Sequence, residues 1–96
     1  MRRSETVQVN ALLKLFIKEF NLEKGLLENR VLTLWDETMG GMVAKATRQK
    51  YIKDGKLFVY LSSSVIRHEL FMMRGEIVKE INRRIGQDVI SELVLK

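Results

Sequence analysis

The 96 residues contain no cysteine and no proline, and histidine appears once. Without thiols neither a disulfide framework nor a thiolate zinc site can form, and one histidine cannot build a histidine-rich metal centre, so no cofactor is expected. The absence of proline, of low-complexity tracts and of repeats leaves no sign of an internal linker, which points to a single domain over residues 1–96. Long apolar runs are also missing. "MRRSETVQV" opens like a signal peptide, but Gln8, Asn10 and Lys14 interrupt the apolar run that a signal peptide needs, and no stretch approaches a membrane span. The expectation is a cytoplasmic chain with no membrane partner. Acidic residues are the minority, twelve against seventeen Lys and Arg, and the resulting +5 charge biases the protein toward polyanions. The remaining composition, 46% hydrophobic and 30% charged residues, is that of an ordinary globular chain that should fold.

Val9, Leu12, Leu13, Phe16, Ile17 and Phe20 lie along one helical face, and "NLEKG" breaks the pattern. A second helix is expected from Leu27 through Val31, Leu34, Trp35, Met39, Met42 and Val43 to Ala46. Gly40 and Gly41 should kink it or mark a close backbone approach. From Thr47 the period changes to two. "TRQKYIK" and "KLFVYLS" flank Asp54-Gly55, a type I′ hairpin signal, because both central positions need positive φ. A two-residue loop pairs Lys53 with Lys56, Ile52 with Leu57, Tyr51 with Phe58 and Gln49 with Tyr60. Ile52, Leu57, Val59 and Leu61 then share one face, and Tyr51, Phe58 and Tyr60 share the other. Ile66, Leu70, Met73, Ile77, Ile81 and Ile85 give a third helix an apolar stripe ending near Gly86, and "DVISELVLK" reads as a last strand. The order is α-α-β-β-α-β, an α+β fold with helices packed on one face of a three-stranded sheet.

"YLSSSVIRHEL" holds three serines, a histidine and a glutamate, the inventory of a serine hydrolase. A nucleophilic serine needs a base, a group orienting that base, and oxyanion donors. There is no G-x-S-x-G elbow, and His68 falls opposite the apolar stripe of its helix, toward solvent. Ser63 or Ser64 instead stands where a helix cap belongs, and Glu69 suits the positive end of that helix. Gly40-Gly41 lacks the spacing of a phosphate-binding loop, and Asp36 and Glu37 point different ways on a helix, into water. No catalytic residue and no small-molecule substrate are expected.

The binding signal is basic and aromatic. Lys45, Arg48, Lys50, Lys53 and Lys56 fall within twelve residues containing one acid, Asp54, and the same hairpin carries Tyr51, Phe58 and Tyr60. Lysines for phosphates and rings for bases are the ingredients of single-strand binding. The competing reading is that the rings pack across strands and the lysines guard an edge. On the third helix, Arg67, Phe71, Arg74 and Val78 line one flank with the residue types enriched at protein interfaces, or form the rim of the core.

Three stretches together, "LWDETMGGMVAKAT", "GKLFVYLSSSVIRHEL" and "INRRIGQDVISELVLK", resemble the DciA family of bacterial replicative-helicase loaders over about residues 26–96. The resemblance implies a KH-like domain that binds the replicative DNA helicase and single-stranded DNA, assists helicase loading, and has no enzymatic activity. It also implies that many members carry a flexible tail contributing to helicase contact, whereas this sequence stops at Lys96. KH domains clamp nucleic acid with a G-x-x-G loop, which this sequence does not contain. Two other functions stay open at this stage: a protein-interaction module without nucleic-acid binding, and a KH-like RNA-binding domain.

Overall fold

The computed structural model describes residues 3–96, with side chains from Asn10 onward. A single helix, α1, runs from Arg3 to Met39. It carries the chain straight through "NLEKG", where the sequence suggests a break. Loss of apolar periodicity there reflects a solvent-exposed stretch, not an end: Asn21 to Gly25 are all exposed, and a lone glycine costs a helix only about 1 kcal/mol. Val9 lies outside the described side chains. The other five members of the first apolar stripe, Leu12 to Phe20, are each more than half exposed, and Phe20 lines a cleft with Gly55 and Val89.

Gly40 ends α1 with φ 86°, a region favouring glycine, and a short helix α2 occupies Gly41–Ala46. The doublet is therefore a break, and no other backbone approaches it. Ala46 is buried and Val43 half-buried, but Met42 points outward, since the turn at Gly40 moves it off the face it would share with Met39.

Strands β1 (Thr47–Lys53) and β2 (Lys56–Leu61) form the hairpin in the expected register, with Asp54 at φ 53° and Gly55 at φ 74°. The one irregularity is a bulge between Thr47 and Gln49. Ser63 caps helix α3 (Ser64–Met72), its hydroxyl accepting from the Ile66 N–H at 3.2 Å. The third helix is not continuous. At Met73 the backbone leaves helical geometry (φ −108°, ψ 8°), and a separate helix α4 spans Arg74–Ile85. Leu70, Ile77 and Ile81 are buried as the stripe requires, while Met73 at the break is exposed. Glu69, five residues past the start of α3, lies beyond its first turn, so it gains little from the helix dipole.

Strand β3 (Glu92–Leu95) pairs in parallel with β2, giving the order β1-β2-β3. A parallel partner requires a crossover, which α3 and α4 supply on one face. The core lies between that face and the helices: Leu57, Val59 and Leu61 from β2 and Leu93 from β3 meet Val31 and Trp35 of α1, Leu70 of α3, and Ile77 and Ile81 of α4. The α+β class and the helix-covered three-stranded sheet are as expected from the sequence.

Candidate nucleic-acid interface

Strand alternation divides the hairpin residues into two sets. Leu57, Val59 and Leu61 point at the helices, so Phe58 and Tyr60 point away, and the register brings Tyr51 beside Phe58 and Gln49 beside Tyr60. The rings form a row. Tyr51 and Phe58 stack with centroids 5.0 Å apart and planes 10° from parallel, and Tyr51 and Tyr60 lie 6.2 Å apart at 25°. All three are half-buried, each partly covered by its neighbours and open on its outer side. The Tyr60 hydroxyl beside it holds the Tyr51 pKa above its ordinary 10.0, so Tyr51 is an uncharged ring at neutral pH.

The basic residues separate in the structure. Lys53 and Lys56 stand level across the hairpin tip on the aromatic face, both exposed. Lys56 lies 3.6 Å from Glu92, a loose exposed pair that neutralises little. Arg48, in the bulge, and Lys45, in the last turn of α2, are exposed at the other end of β1. Lys50 departs from the group. It pairs with Val59 on the helix-covered face, where its ammonium donates to the Leu32 carbonyl at 2.8 Å and to Asp36 Oδ2 at 2.7 Å. Lys50 ties the sheet to α1, and Asp36, expected from the sequence to be solvated, is its partner. Sequence reasoning misses Lys96: Phe58 faces Val94 in the parallel register, so two residues on Lys96 joins the face that holds Tyr60. Its N–H donates to the Val59 carbonyl and its carbonyl accepts from Leu61.

The helix-three residues converge on a second feature. Phe71, Arg74 and Val78 line a groove of about 610 Å³ between the α3–α4 turn and β3, with Leu93 as its floor. The Arg74 guanidinium sits 3.9 Å over the Phe71 ring and donates to the Phe71 carbonyl, which holds both side chains in place. Arg67 lies in an adjoining depression with His68, Phe71 and Leu95.

The site contains a basic, aromatic sheet face and an apolar groove with a fixed arginine. Of the hydrolase-like inventory, Ser63 is occupied in capping and His68 is exposed. Among the described residues no helix is long and apolar enough to cross a membrane.

The chain is a small α+β domain, and comparison with known proteins places it further. A family model described as "Dna[CI] antecedent, DciA" matches residues 8–95. The chain belongs to the DciA family. It is also similar to a UPF0232 protein of Corynebacterium glutamicum (strain R), 36% identical over 63 residues. That stretch is 66% of this chain and 35% of the relative, so the match spans about a third of the relative's length.

Proposed function

We propose that this domain is a non-enzymatic replication accessory, cytoplasmic, that binds single-stranded DNA on the open face of its sheet and the replicative helicase through the groove beside it. The observation carrying this reading is the collection of Tyr51, Phe58, Tyr60, Lys53, Lys56 and Lys96 on one uncovered sheet face of a DciA-family chain. Lys53 level with Lys56 is a repulsive cross-strand pair in the free domain, and a phosphate beside them relieves it. Stacked rings accept bases of any identity, which suits a protein acting on arbitrary sequence. Lys45 and Arg48 extend the basic track along β1, whereas Lys50 is assigned to the fold and not to DNA. Family membership supports the helicase as the partner, with Arg67, Phe71, Arg74 and Val78 as its contact.

The test is oligothymidine binding by fluorescence anisotropy across a salt series. Each lost phosphate contact flattens the log–log slope by about 0.7 on single strands, so the Lys53→Gln/Lys56→Gln variant should show a slope about 1.4 shallower than the parent, without loss of fold. An equal-length RNA run in parallel distinguishes the KH-like RNA reading. If no salt-dependent binding occurs with either strand, the domain is a protein-interaction module. The groove at Phe71 then becomes its working surface, to be tested with purified helicase and Phe71→Ala.

A further inference from the structure

The largest unexplained feature lies away from the sheet. Leu12, Leu13, Phe16, Ile17 and Phe20 form a continuous apolar stripe on α1, each between 54% and 68% exposed. The stripe continues without a change of phase the line of Leu27, which is half-buried, and of Val31 and Trp35, which the same helix buries against the sheet. One helix face is thus covered by this chain in its second half and left open from Leu12 to Ile17, with Phe20 at the edge of a cleft it shares with Gly55 and Val89.

We propose that the stripe is covered by the same stripe of a second copy, in an antiparallel helix pair. A two-fold interface requires a patch complementary to itself, and the spacing has that symmetry. About the midpoint between Lys14 and Leu15, Leu12 falls level with Ile17 of the other copy and Leu13 level with Phe16, so apolar meets apolar in both directions. In this register no like charges stand level, since Lys14 is level with Leu15, Lys18 with Ala11 and Glu19 with Asn10, and the two Lys14 side chains beside the dyad flank the apolar seam. The two bodies extend in opposite directions from the dyad: α1 first borders its own body at Phe20, about 8 Å along the helix from the midpoint, and enters the core at Val31, about 25 Å along it. Five half-exposed side chains at roughly 100 Å² each offer about 1,000 Å² over both copies, the lower bound for a specific interface.

Sedimentation equilibrium on the full chain at tens of micromolar should give twice the 11.2 kDa of one chain. Phe16→Glu should return the single-chain mass with an unchanged thermal transition, because the core lies beyond residue 27. Leu22→Glu, an equally exposed apolar position on the opposite side of α1, should leave the pair intact. The parent has no cysteine, so Leu13→Cys and Phe16→Cys chains mixed under oxidising conditions should form the mixed disulfide in several-fold excess over either like-with-like product. A single-chain mass throughout overturns the proposal, as does an excess of like-with-like disulfide or an equal effect of Leu22→Glu. The first of these outcomes would leave the stripe to another protein. None of these measurements involves DNA, so the pairing stands or fails separately from the proposed function.

Discussion

The side chain of Asn82, near the end of α4, is hydrogen-bonded to both backbone groups of Ile90. Its Nδ2 donates to the Ile90 carbonyl at 2.7 Å while its Oδ1 accepts from the Ile90 N–H at 3.1 Å and from the Val89 N–H at 3.0 Å. Asn82 and Ile90 are both buried, so two of these bonds satisfy backbone groups that water cannot reach, while the Val89 N–H is shared with the Gln87 carbonyl. Ile90, held this way, enters the core, and the chain is aimed into β3. Asn82→Ala should cost about 1–3 kcal/mol for each buried group left unpaired, read as a lowered urea midpoint. Asn82→Asp keeps the acceptor and loses the amide donor, so it should be destabilised at neutral pH as well.

The cap on α3 gives a paired comparison. Ser63→Ala should lose about 0.5–2 kcal/mol in chemical denaturation, whereas Ser64→Ala, one residue inside the helix, should change little. Hydrolase activity lost from either variant with stability intact would contradict the capping role.

Trp35 is completely buried, and its Nε1 donates to Thr47 Oγ1 at 3.1 Å, which in turn donates to the Val43 carbonyl at 2.8 Å. Trp35→Ala should cost roughly 3–5 kcal/mol, enough to unfold a domain of this size. Trp35→Phe retains most of the apolar bulk and loses the donor together with a part of the ring volume, so it should fold with a smaller loss. Thermal melts of the pair check that order.

Glu80 accepts from both Arg83 and Arg84, and these bonds lower its pKa from an ordinary 4.5 to about 2. Because the folded value lies below the unfolded one, the stabilisation is full above pH 4.5 and is lost as pH falls toward 2. Carboxyl chemical shifts in an NMR titration should put the Glu80 midpoint near the bottom of that window. Glu80→Gln should lower stability at neutral pH and flatten the acid limb, so that the gap between variant and parent closes as pH falls toward 2.

On the sheet, Tyr51→Leu, Phe58→Leu and Tyr60→Leu keep apolar bulk and remove a stacking surface. Under the proposed function each should weaken oligothymidine binding by about 1–3 kcal/mol per stacked base, with the salt slope unchanged. Phosphate and base contacts would then be read by two independent observables.

The hairpin was legible in the sequence because its determinants are local: Asp54-Gly55 sets the turn, and strict alternation then sets register and faces. The position of Lys50 was legible in principle, since parity places it with Ile52 on the helix side, but counting charges along the chain obscured it. The continuity of α1 was not legible, because an exposed helix has no need of apolar periodicity. Nor was the break at Met73, since Gly75 falls two residues beyond it, inside the first turn of α4, and the stripe from Leu70 to Ile77 runs across it unbroken. Asn82 carries no local signal at all. Its partners come from the loop that returns seven and eight residues later.

The parallel pairing of β3 with β2 has a consequence for how the chain folds. β1 and β2 can meet through a two-residue turn, a microsecond event, but thirty residues separate Leu61 from Glu92 and must be gathered before the last strand can be placed. Until then one edge of β2, the most buried strand of the finished sheet, has its backbone unpaired, which is a template for another chain. A chain cut before Glu92 would keep that edge open permanently, so it should aggregate more readily than a chain cut anywhere in the first turns of α1. Completion of the sheet, more than formation of its first hairpin, sets the time this protein spends vulnerable.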